Sequence, residues 1–453
     1  MRRTSRSTPR SSPQPTVGRD RLIRRIQILI VFLPVLLTFF YVYSLSVEAP
    51  VWDDWDLLVP LFQHMAAGQL QWSDINSQHT ESVVAFPLAI SLVLAKLTGG
   101  RILPITYLSY LFLCGALGVL FLFFRMLDLP GRWSVLWFLP ASLLFLGWRQ
   151  WEGLLWSTHL ANTMALFFVL TSLYCCTQVC RTPIFFAAAI VCAWIASFSM
   201  ASGLLVWFCG AFALVVAGAG KMRFVQLRRH FVGWLVMGAV CGACFFFDVK
   251  PSPPPWPTGI SFVLANPANA ILYALTYLGA PLGATAPQAL FAGIVLVLIT
   301  LPVVFLAWKK KIREGVLAGL FIASYVGLTL GPLLMGRLGL GVAQAASSRY
   351  VTLGALAPIG IYFCSLDLAR TSAAGRYLAS GMFLLLAVGI LNSYSSGLVE
   401  GRRESARRTG CAAAIKNFHQ IDPKQLTCGY PDPGVILERA PLLEQYHLSL
   451  FGR

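Results

Sequence analysis

Apolar runs of about 20 residues recur along almost the whole chain, and this feature limits the fold more than any other. An α-helix needs roughly 20 apolar residues to cross the ~30 Å hydrocarbon core of a bilayer, and a helix satisfies its own backbone polar groups in lipid. The 453 residues are 57% hydrophobic and 12% charged, whereas soluble domains carry roughly 25% charged residues. The sequence therefore predicts an all-α polytopic membrane protein.

The apolar runs predict about 11 transmembrane helices, within a range of about 10 to 13. The predicted spans are 26–45, 102–124, 133–147, 157–180, 184–199, 203–219, 231–247, 288–308, 315–335, 350–368 and 377–397. Basic residues lie at the ends of these runs, most densely at 221–230 and 309–313, and cytoplasmic loops favour Lys and Arg. The net charge of +17 is therefore assigned to membrane topology, not to a nucleic-acid-binding surface, and the N-terminus is predicted to be cytoplasmic.

The chain divides into three parts by composition. Residues 1–25 are predicted to be a disordered basic cytoplasmic tail, residues 26–397 form the transmembrane domain, and residues 398–453 form a short hydrophilic tail. Counting spans places this last tail outside the cytoplasm, although the arginines that follow the final span favour the cytoplasm. Cys411 and Cys428 lie in this tail and can pair if it faces an oxidising compartment.

The same count places five further segments on the outer side: 47–101 (the first extracytoplasmic loop), 148–156, 199–203, 248–287 and 336–349. Within the first loop, residues 83–97 are either a short second span or a helix that lies flat at the membrane surface. Crossing would require 184–219 to be one overlong helix despite its polar interruption. We therefore interpret 83–97 as a juxtamembrane helix.

The first loop carries an unusual concentration of acidic side chains. Six of the 18 acidic residues fall between Glu48 and Glu81, and that stretch contains no Lys or Arg. The lack of positive charge is explained by translocation, but the position of Asp53 and Asp54 between two tryptophans is not. Two close carboxylates raise the pKa of one of them, which suits a general base. We therefore predict that Asp53, Asp54 and Glu81 are catalytic.

Two later outer segments also carry charges among aromatic or flexible residues. The segment 147–156 is either an aromatic belt with a neutralised ion pair or part of a substrate site, and 336–350 carries arginines that suit phosphate binding. The predicted donor-phosphate ligands are Arg337, Arg349 and Tyr350. The predicted substrate-binding residues are Trp52, Trp55, His79, Arg149, Glu152 and His159.

Acids and arginines together at the outer surface suit one reaction well. A carboxylate deprotonates an acceptor hydroxyl, the oxygen attacks the anomeric carbon of a lipid-phosphate sugar, and arginine stabilises the departing phosphate. Transporters instead place their charges near the bilayer midplane. No short-spaced metal-ligand set occurs, so no cofactor is required, and a divalent cation held by Asp54 and Glu81 is an alternative.

Several short motifs, in their order along the chain, resemble the GT-C superfamily of polyprenyl-phosphate-sugar-dependent glycosyltransferases. The chain looks most similar to its bacterial members related to the protein-mannosyltransferase and aminoarabinose-transferase group. The resemblance is carried by Trp52-Asp-Asp-Trp55, Gln78-His-Thr-Glu81, Trp151-Glu-Gly-Leu-Leu-Trp156, Ser197-Phe-Ser-Met-Ala-Ser-Gly-Leu204 and Ala345-Ala-Ser-Ser-Arg-Tyr350.

The resemblance implies a multi-pass protein of the bacterial inner membrane with a periplasmic active site. Its donor would be a polyprenyl-phosphate-linked hexose or pentose, transferred with inversion to an envelope glycan, lipid or protein. Asp53 or Asp54 would act at the acceptor, Glu81 would support the site, and Arg349 would meet the donor phosphate. The alternatives are a polysaccharide polymerase or ligase, a lipid-linked-sugar flippase or transporter, or a purely structural membrane protein.

Overall fold

Helices make up nearly all of the chain that the computed structural model describes, which comprises residues 17–131, 133–218, 222, 224–247, 249–250, 254–309 and 314–452. The α-helices are α1 Val17–Leu45, α2 Asp53–Ala66, α3 Trp72–Ile75, α4 Ala85–Thr98, α5 Leu103–Arg125, α6 Leu139–Phe145, α7 Trp151–Leu155, α8 Leu160–Gln178, α9 Pro183–Ser197, α10 Val206–Gly218, α11 Phe224–Phe246, α12 Ile260–Ala265, α13 Pro267–Gly279, α14 Ala286–Lys309, α15 Glu314–Arg337, α16 Ser348–Gly354, α17 Leu356–Ala369, α18 Ala373–Lys416 and α19 Pro433–Gln445.

Short 3-10 helices and one strand pair complete the secondary structure of this part of the chain. The 3-10 helices are Ser134–Phe138, Trp148–Gln150, Ser157–His159, Ala201–Leu205, Leu338–Leu340, Val342–Ala346, Pro423–Cys428 and Ser449–Phe451. The strands are β1 Gln78–His79 and β2 Ser82–Val83, which pair antiparallel.

Eight helical stretches within the described residues are long and apolar enough to cross a membrane. They are Arg21–Leu45, Leu103–Arg125, Ser157–Gln178, Phe224–Phe246, Ala286–Lys309, Gly315–Leu340, Ser348–Ala369 and Ala373–Lys416. Each coincides with a predicted span, because a run of apolar residues of this length forms a continuous helix. The predicted all-helical membrane class is confirmed.

The other three predicted spans are shorter in the structure. Residues 184–199 and 203–219 correspond to α9 and α10, which have 15 and 13 residues and therefore extend only about 20 Å each. Residues 133–147 form a 3-10 helix followed by the seven-residue α6. The composition of a segment shows how apolar it is, but it does not show whether the segment forms one continuous helix.

The predicted N-terminal tail and the two basic clusters lie partly outside the described residues. Residues 1–16 are not described, and α1 begins at Val17, so helix instead of disorder covers the last part of the predicted tail 1–25. Several positions within 221–230 and 309–313 are also outside the described residues.

The helix bundle has one large apolar core to which most of the long helices contribute. Phe123, Phe138 and Tyr362 lie fully buried in it. Helices α15 and α17 approach each other closely at Gly319 and Gly360, where an added Cβ on either glycine would meet the backbone carbonyl of the other. Small residues at such contacts allow membrane helices to pack backbone against backbone.

A second, smaller core joins the first loop to the hydrophilic tail. It is formed by α2, α4, the start of α5, the end of α18 and α19, and it buries side chains such as Trp55, Phe62, Ile415 and Leu443. A disulfide joins Cys411 to Cys428. The first loop and the tail therefore lie at the same end of the bundle.

Helix α4 contacts this end of the bundle at both of its own ends. The backbone N–H of Phe86 donates to the carbonyl of Phe198 at 3.3 Å, and that of Ile102, just beyond α4, donates to Glu48 at 2.7 Å. A helix that crossed the membrane would separate these contacts by the bilayer thickness. Helix α4 has 14 residues and is about 21 Å long, and the interpretation of 83–97 as a surface helix stays a prediction.

The remaining segments predicted to be outside also meet the first loop. Polar contacts join Ser82 to Ala201, Gln78 to Lys250 and Glu81 to Arg337, and Trp52 stacks on Trp156. Loops far apart in sequence thus form one polar assembly above the bundle.

Candidate active site

Trp52 lies in a tight turn directly before the two acidic residues Asp53 and Asp54. Trp52 has a φ of 50°, in the left-handed region that a bulky residue rarely adopts. Its backbone N–H donates to the carbonyl of Gly429 in the tail at 2.8 Å. Helix α2 then begins at Asp53, and carboxylates in a first helical turn interact favourably with the helix dipole. The tail thus helps to hold the turn that directs Asp53 and Asp54.

Asp54 is buried, with 1% of its surface exposed. Its Oδ2 accepts the backbone N–H of Val51 at 3.0 Å, and its Oδ1 accepts the hydroxyl of Ser157. Burial raises the pKa of Asp54 to about 6, while the charge of Arg408 and the two hydrogen bonds act in the opposite direction. The carboxyl of Asp54 is therefore occupied by internal partners.

Asp53 is the accessible acid of the pair, with 45% of its side chain exposed and its Oδ2 at 3.5 Å from Nε2 of His79. Burial alone would raise the pKa of Asp53, but the hydrogen bond and charge of His79, with the charges of His159 and Arg349, lower it below its usual value. Burial would lower the pKa of His79, and Asp53 raises it instead. Asp53 is thus a partly exposed carboxylate paired with His79.

Glu152 holds Arg349 and the start of α16 in place. Its Oε1 lies 3.2 Å from Nη2 of Arg349, and only 8% of the Glu152 side chain is exposed. Its Oε2 accepts the backbone N–H of Arg349 at 2.9 Å, the hydroxyl of Ser347 at 3.2 Å and the hydroxyl of Ser348. Burial would raise the pKa of Glu152, but Arg349 and these hydrogen bonds lower it. On the other side of this contact, 41% of the Arg349 side chain stays exposed.

The indole ring of Trp156 joins these groups. Trp52 stacks on it with ring centroids 6.4 Å apart, and the Cζ atoms of Arg349 and Arg408 lie 5.7 Å and 6.0 Å from its centre. Its Nε1 donates to Glu404 at 3.2 Å. Cations favour the face of an indole ring, so both arginines pack against the side chain of Trp156.

Arg408 and Glu404 belong to this cluster, although sequence reasoning did not select them. Arg408 has 3% of its side chain exposed, and its Nε lies 3.2 Å from Oε1 of Glu404. Its Nη1 donates to the carbonyl of Leu155 at 2.7 Å. A signal was present in the sequence, since Glu404 precedes Arg407 and Arg408 by three and four residues, the spacing of ion pairs on one helix.

Glu81 lies in a different setting, on the two-strand hairpin. It pairs with Arg337 at 3.5 Å, and 61% of the Glu81 side chain and 26% of the Arg337 side chain are exposed. The guanidinium of Arg337 lies 5.6 Å from the ring centre of Trp256. Glu81 contributes to the charge around His79, but its hydrogen-bonded partner is Arg337. The alternative cation site therefore draws on two acids with separate partners.

Four of the predicted substrate-binding side chains are largely buried, namely Glu152 and the three that follow. Trp55 is fully buried and donates from Nε1 to the carbonyl of Pro50 at 3.0 Å. Arg149, 9% exposed, donates to the carbonyl of Ala346 at 2.6 Å. His159 is 7% exposed and lies beside Trp156, with ring centroids 5.9 Å apart. Trp55 and Arg149 thus support the fold around the site, and Trp55 is not an exposed anchor at the membrane surface.

The predicted phosphate ligand Tyr350 is partly buried and packs against Tyr277, with ring centroids 6.5 Å apart. It directly follows Arg349 at the start of α16. Within the described residues, no group of three or more His, Cys, Asp and Glu side chains is arranged to hold a metal ion.

The chain matches a crystal structure of ArnT from Cupriavidus metallidurans bound to undecaprenyl phosphate. The match covers 96% of this chain and 90% of that one, with 12% sequence identity and a TM-score of 0.43. No protein-family model matches the chain, and no curated protein matches it. At this identity and TM-score the likeness carries no argument about chemistry, which has to come from the side chains.

Proposed function

We propose that the protein is a GT-C-type membrane glycosyltransferase that moves a sugar from a polyprenyl-phosphate donor to an acceptor hydroxyl. One observation carries the proposal: the ring of Trp156 lies against both Trp52, which directly precedes the partly exposed carboxylate Asp53, and the partly exposed guanidinium of Arg349. A base for the acceptor and a cation for the departing phosphate are the two groups that this reaction needs.

The raised pKa expected of a base belongs to Asp54, but that carboxyl is buried and occupied by internal partners. Asp53 therefore serves as the base, because its side chain is partly exposed and its lowered pKa keeps it ionised. It accepts the proton of the acceptor hydroxyl as the oxygen forms a bond to the anomeric carbon. The bond from that carbon to the phosphate oxygen breaks on the opposite face, so the sugar is transferred with inversion. Phosphate leaves as a stable anion, and no separate acid is required.

Arg349 binds the phosphate of the donor through its exposed side. Glu152 fixes the orientation of the guanidinium from behind, and a fixed donor costs no reorganisation during the reaction. Tyr350 and Arg337 lie on the same segment and are further candidates for the lipid-phosphate end. Trp52, with 41% of its surface exposed, offers an aromatic face to the sugar.

The proposed setting is the periplasmic face of a bacterial inner membrane, with the first loop outside. The outer location is supported by the basic residues at the opposite ends of the long helices. The acceptor is an envelope glycan, lipid or protein, and the sugar is a hexose or a pentose.

The proposal is tested with the full-length protein in lipid nanodiscs, incubated with undecaprenyl-phosphate hexoses and pentoses and a crude envelope acceptor fraction. We expect release of free undecaprenyl phosphate, measured by mass spectrometry, and loss of release in Asp53→Asn. Asp74→Asn is the matched control, because Asp74 is in the same loop but pairs with His64 at 2.9 Å. Unchanged release in Asp53→Asn contradicts the assignment of the base. Movement of intact donor across the bilayer that survives Asp53→Asn supports the flippase alternative instead.

A further inference from the structure

Arg408 is a buried cation on the part of α18 that extends beyond the predicted span. Within the described residues only its Nη1 makes a hydrogen bond, while Nε and Nη2 make none. The 3.2 Å approach of Nε to Glu404 is thus a contact between charges. A guanidinium this deeply buried is costly unless nearby anions compensate its charge.

Two buried acids supply that compensation, Glu404 on the same helix and Asp54 on α2. Both contribute to the electrostatic environment of Arg408, and both are less than 10% exposed. Arg408 is thus in direct contact with the acid of the tail, and it reaches the acid of the first loop through residues 155–157.

The same two elements also meet through the backbone around Trp156. Arg408 donates to the carbonyl of Leu155, and the hydroxyl of Ser157 donates to Asp54. These contacts enclose Trp156, which stacks on Trp52 at the turn before α2. A displacement of Arg408 would therefore reach the turn by two routes, through charge and through packing.

We infer that Arg408 is a positioning residue, which holds residues 155–157 against the buried Asp54 carboxylate and thereby holds the turn from which Asp53 faces the substrate. The catalytic consequence rests on the proposed function, whereas the structural link between Arg408 and Asp54 does not. The hydrophilic tail is then part of the active site, although none of its residues touches the reacting atoms.

Several charged groups surround Asp54 and bear on its titration. Asp53 lies beside it on α2, and Arg408 faces it from α18. Glu404 and Arg407 lie next to Arg408 on α18, with Arg407 paired to Glu404 at 2.8 Å. The charges of His159 and Arg349 lower the pKa of the neighbouring Asp53. Among these groups, Arg408 is the cation that acts most strongly on Asp54.

Infrared titration of the full-length protein in nanodiscs tests the link without any substrate. The carbonyl band of protonated Asp54 is assigned as the band that Asp54→Asn removes. We expect a wild-type midpoint at about pH 6 and an upward shift of about 1 unit or more in Arg408→Gln, because an attractive charge is lost. Arg408→Lys keeps the charge and is expected to shift less.

Two further variants sharpen the result. Arg403→Gln is the matched control, because Arg403 pairs with Glu400 on the same helix but has 73% of its side chain exposed, and its midpoint is expected to equal that of wild type. Glu404→Gln leaves Asp54 as the main buried partner of Arg408 and is expected to lower the midpoint. This variant keeps the inference testable if Arg408→Gln does not fold. An unchanged midpoint in either Arg408→Gln or Glu404→Gln, or equal shifts in Arg408→Gln and Arg408→Lys, overturns the inference.

The transfer assay separates positioning from general damage. Protonation of Asp54 removes a hydrogen-bond acceptor from the turn, so we expect the acid limb of the transfer rate in Arg408→Gln to move to higher pH by the same amount as the infrared midpoint. A rate loss that is equal at every pH indicates a structural role alone. If wild type transfers no sugar, the proposed function fails while the infrared result still stands or falls by itself.

Discussion

Two parts of the first loop bring an acid to an arginine, yet their surroundings are opposite. The first site, here called the corner, comprises Asp53, Asp54 and the neighbouring Glu152. Asp54 is 1% exposed and Glu152 is 6% exposed, and both accept hydrogen bonds from backbone and hydroxyl groups. At the hairpin, Glu81 and Arg337 meet at 3.5 Å with side chains 61% and 26% exposed. The first site is enclosed by protein on several sides, and the second faces solvent.

This difference decides how strongly each acid acts on its neighbours. Charges in a partly buried site interact several times more strongly than charges separated by water, and exposed ion pairs contribute little. The corner thus has the electrostatic strength to tune pKa values, whereas the hairpin has a weaker field. The predicted catalytic role of Glu81 stays a prediction, with less support from geometry than that of Asp53.

The largest expected effect separates the two regions by activity. Asp53→Asn is expected to lower kcat for transfer by about 10²- to 10⁴-fold, the usual contribution of a general base, since an amide cannot accept the hydroxyl proton. Its thermal stability should change little, because 45% of the Asp53 side chain is exposed. Steady-state rates and a thermal unfolding curve measure both. A tenfold drop or less would remove Asp53 from the role of base.

Glu152→Ala tests the enclosure of the corner. Removing the acid leaves Arg349 without its buried partner, and breaking a buried ion pair typically costs about 3–5 kcal/mol. That figure is an upper bound here, because 41% of the Arg349 side chain is exposed and solvent screens it. We expect a lower unfolding midpoint and weaker binding of undecaprenyl phosphate, measured by calorimetry. Glu152→Gln keeps the shape and should lose less stability. Equal behaviour of the two variants would contradict the orienting role of Glu152.

Asp54→Asn tests the pH dependence of stability at the corner. The folded-state pKa of Asp54, about 6, lies above its ordinary value of 3.8. Its contribution to stability is therefore fully present below pH 3.8 and is lost as the pH rises through about 6. A shift of about two units corresponds to roughly 3 kcal/mol.

The difference between wild type and Asp54→Asn isolates this one group. Unfolding midpoints in nanodiscs at about pH 4 and about pH 8 should decline more in wild type than in the variant. Parallel declines in the two proteins would show that Asp54 is ionised throughout and that its burial does not control its protonation.

The smallest expected effect is at the hairpin. Glu81→Gln should change stability by about 0–1 kcal/mol, the range for exposed ion pairs, and transfer by less than about fivefold. Thermal unfolding and steady-state rates measure these values beside those of Asp53→Asn. A loss comparable to that of Asp53→Asn would reverse the ranking of the two regions and place Glu81 at the reacting atoms.

The grouping of Asp53, Glu152 and Arg349 at one end of the bundle was the part of the site that sequence could predict, whereas their side of the membrane stays a prediction. In the structure, Trp52, which precedes Asp53, and Arg349 both lie against Trp156. Helix lengths were harder, because residues 133–147 are apolar enough for a span but break into a 3-10 turn and a short helix. The polar interruption at 199–203 does separate α9 from α10.

The contribution of the tail was beyond sequence reasoning. Trp55 has the pattern of an exposed interfacial anchor, but Arg439 donates to its backbone carbonyl from 384 residues away in the chain. No local sequence pattern predicts such a contact. Arginines on the outer side of a membrane run against the positive-inside bias, and this exception favoured Arg337 and Arg349 as functional. Arg408 is an exception of the same kind, but it was not selected because Glu400 and Glu404 lie among the arginines of this segment.

The contact between Trp52 and Gly429 has a consequence for biosynthesis. About 380 residues separate these partners, which takes a ribosome roughly 20 to 75 s at about 5–20 residues per second. During that interval the first loop has left the membrane insertion machinery but lacks the partner that holds its turn. We expect a protease added from outside to cut the first loop in nascent chains halted at residue 398 and to spare it in the full chain. Equal cutting would show that the loop folds early without the tail. If the full chain alone is spared, the acids of the first loop are among the first outer residues to be synthesised and among the last to reach their folded arrangement.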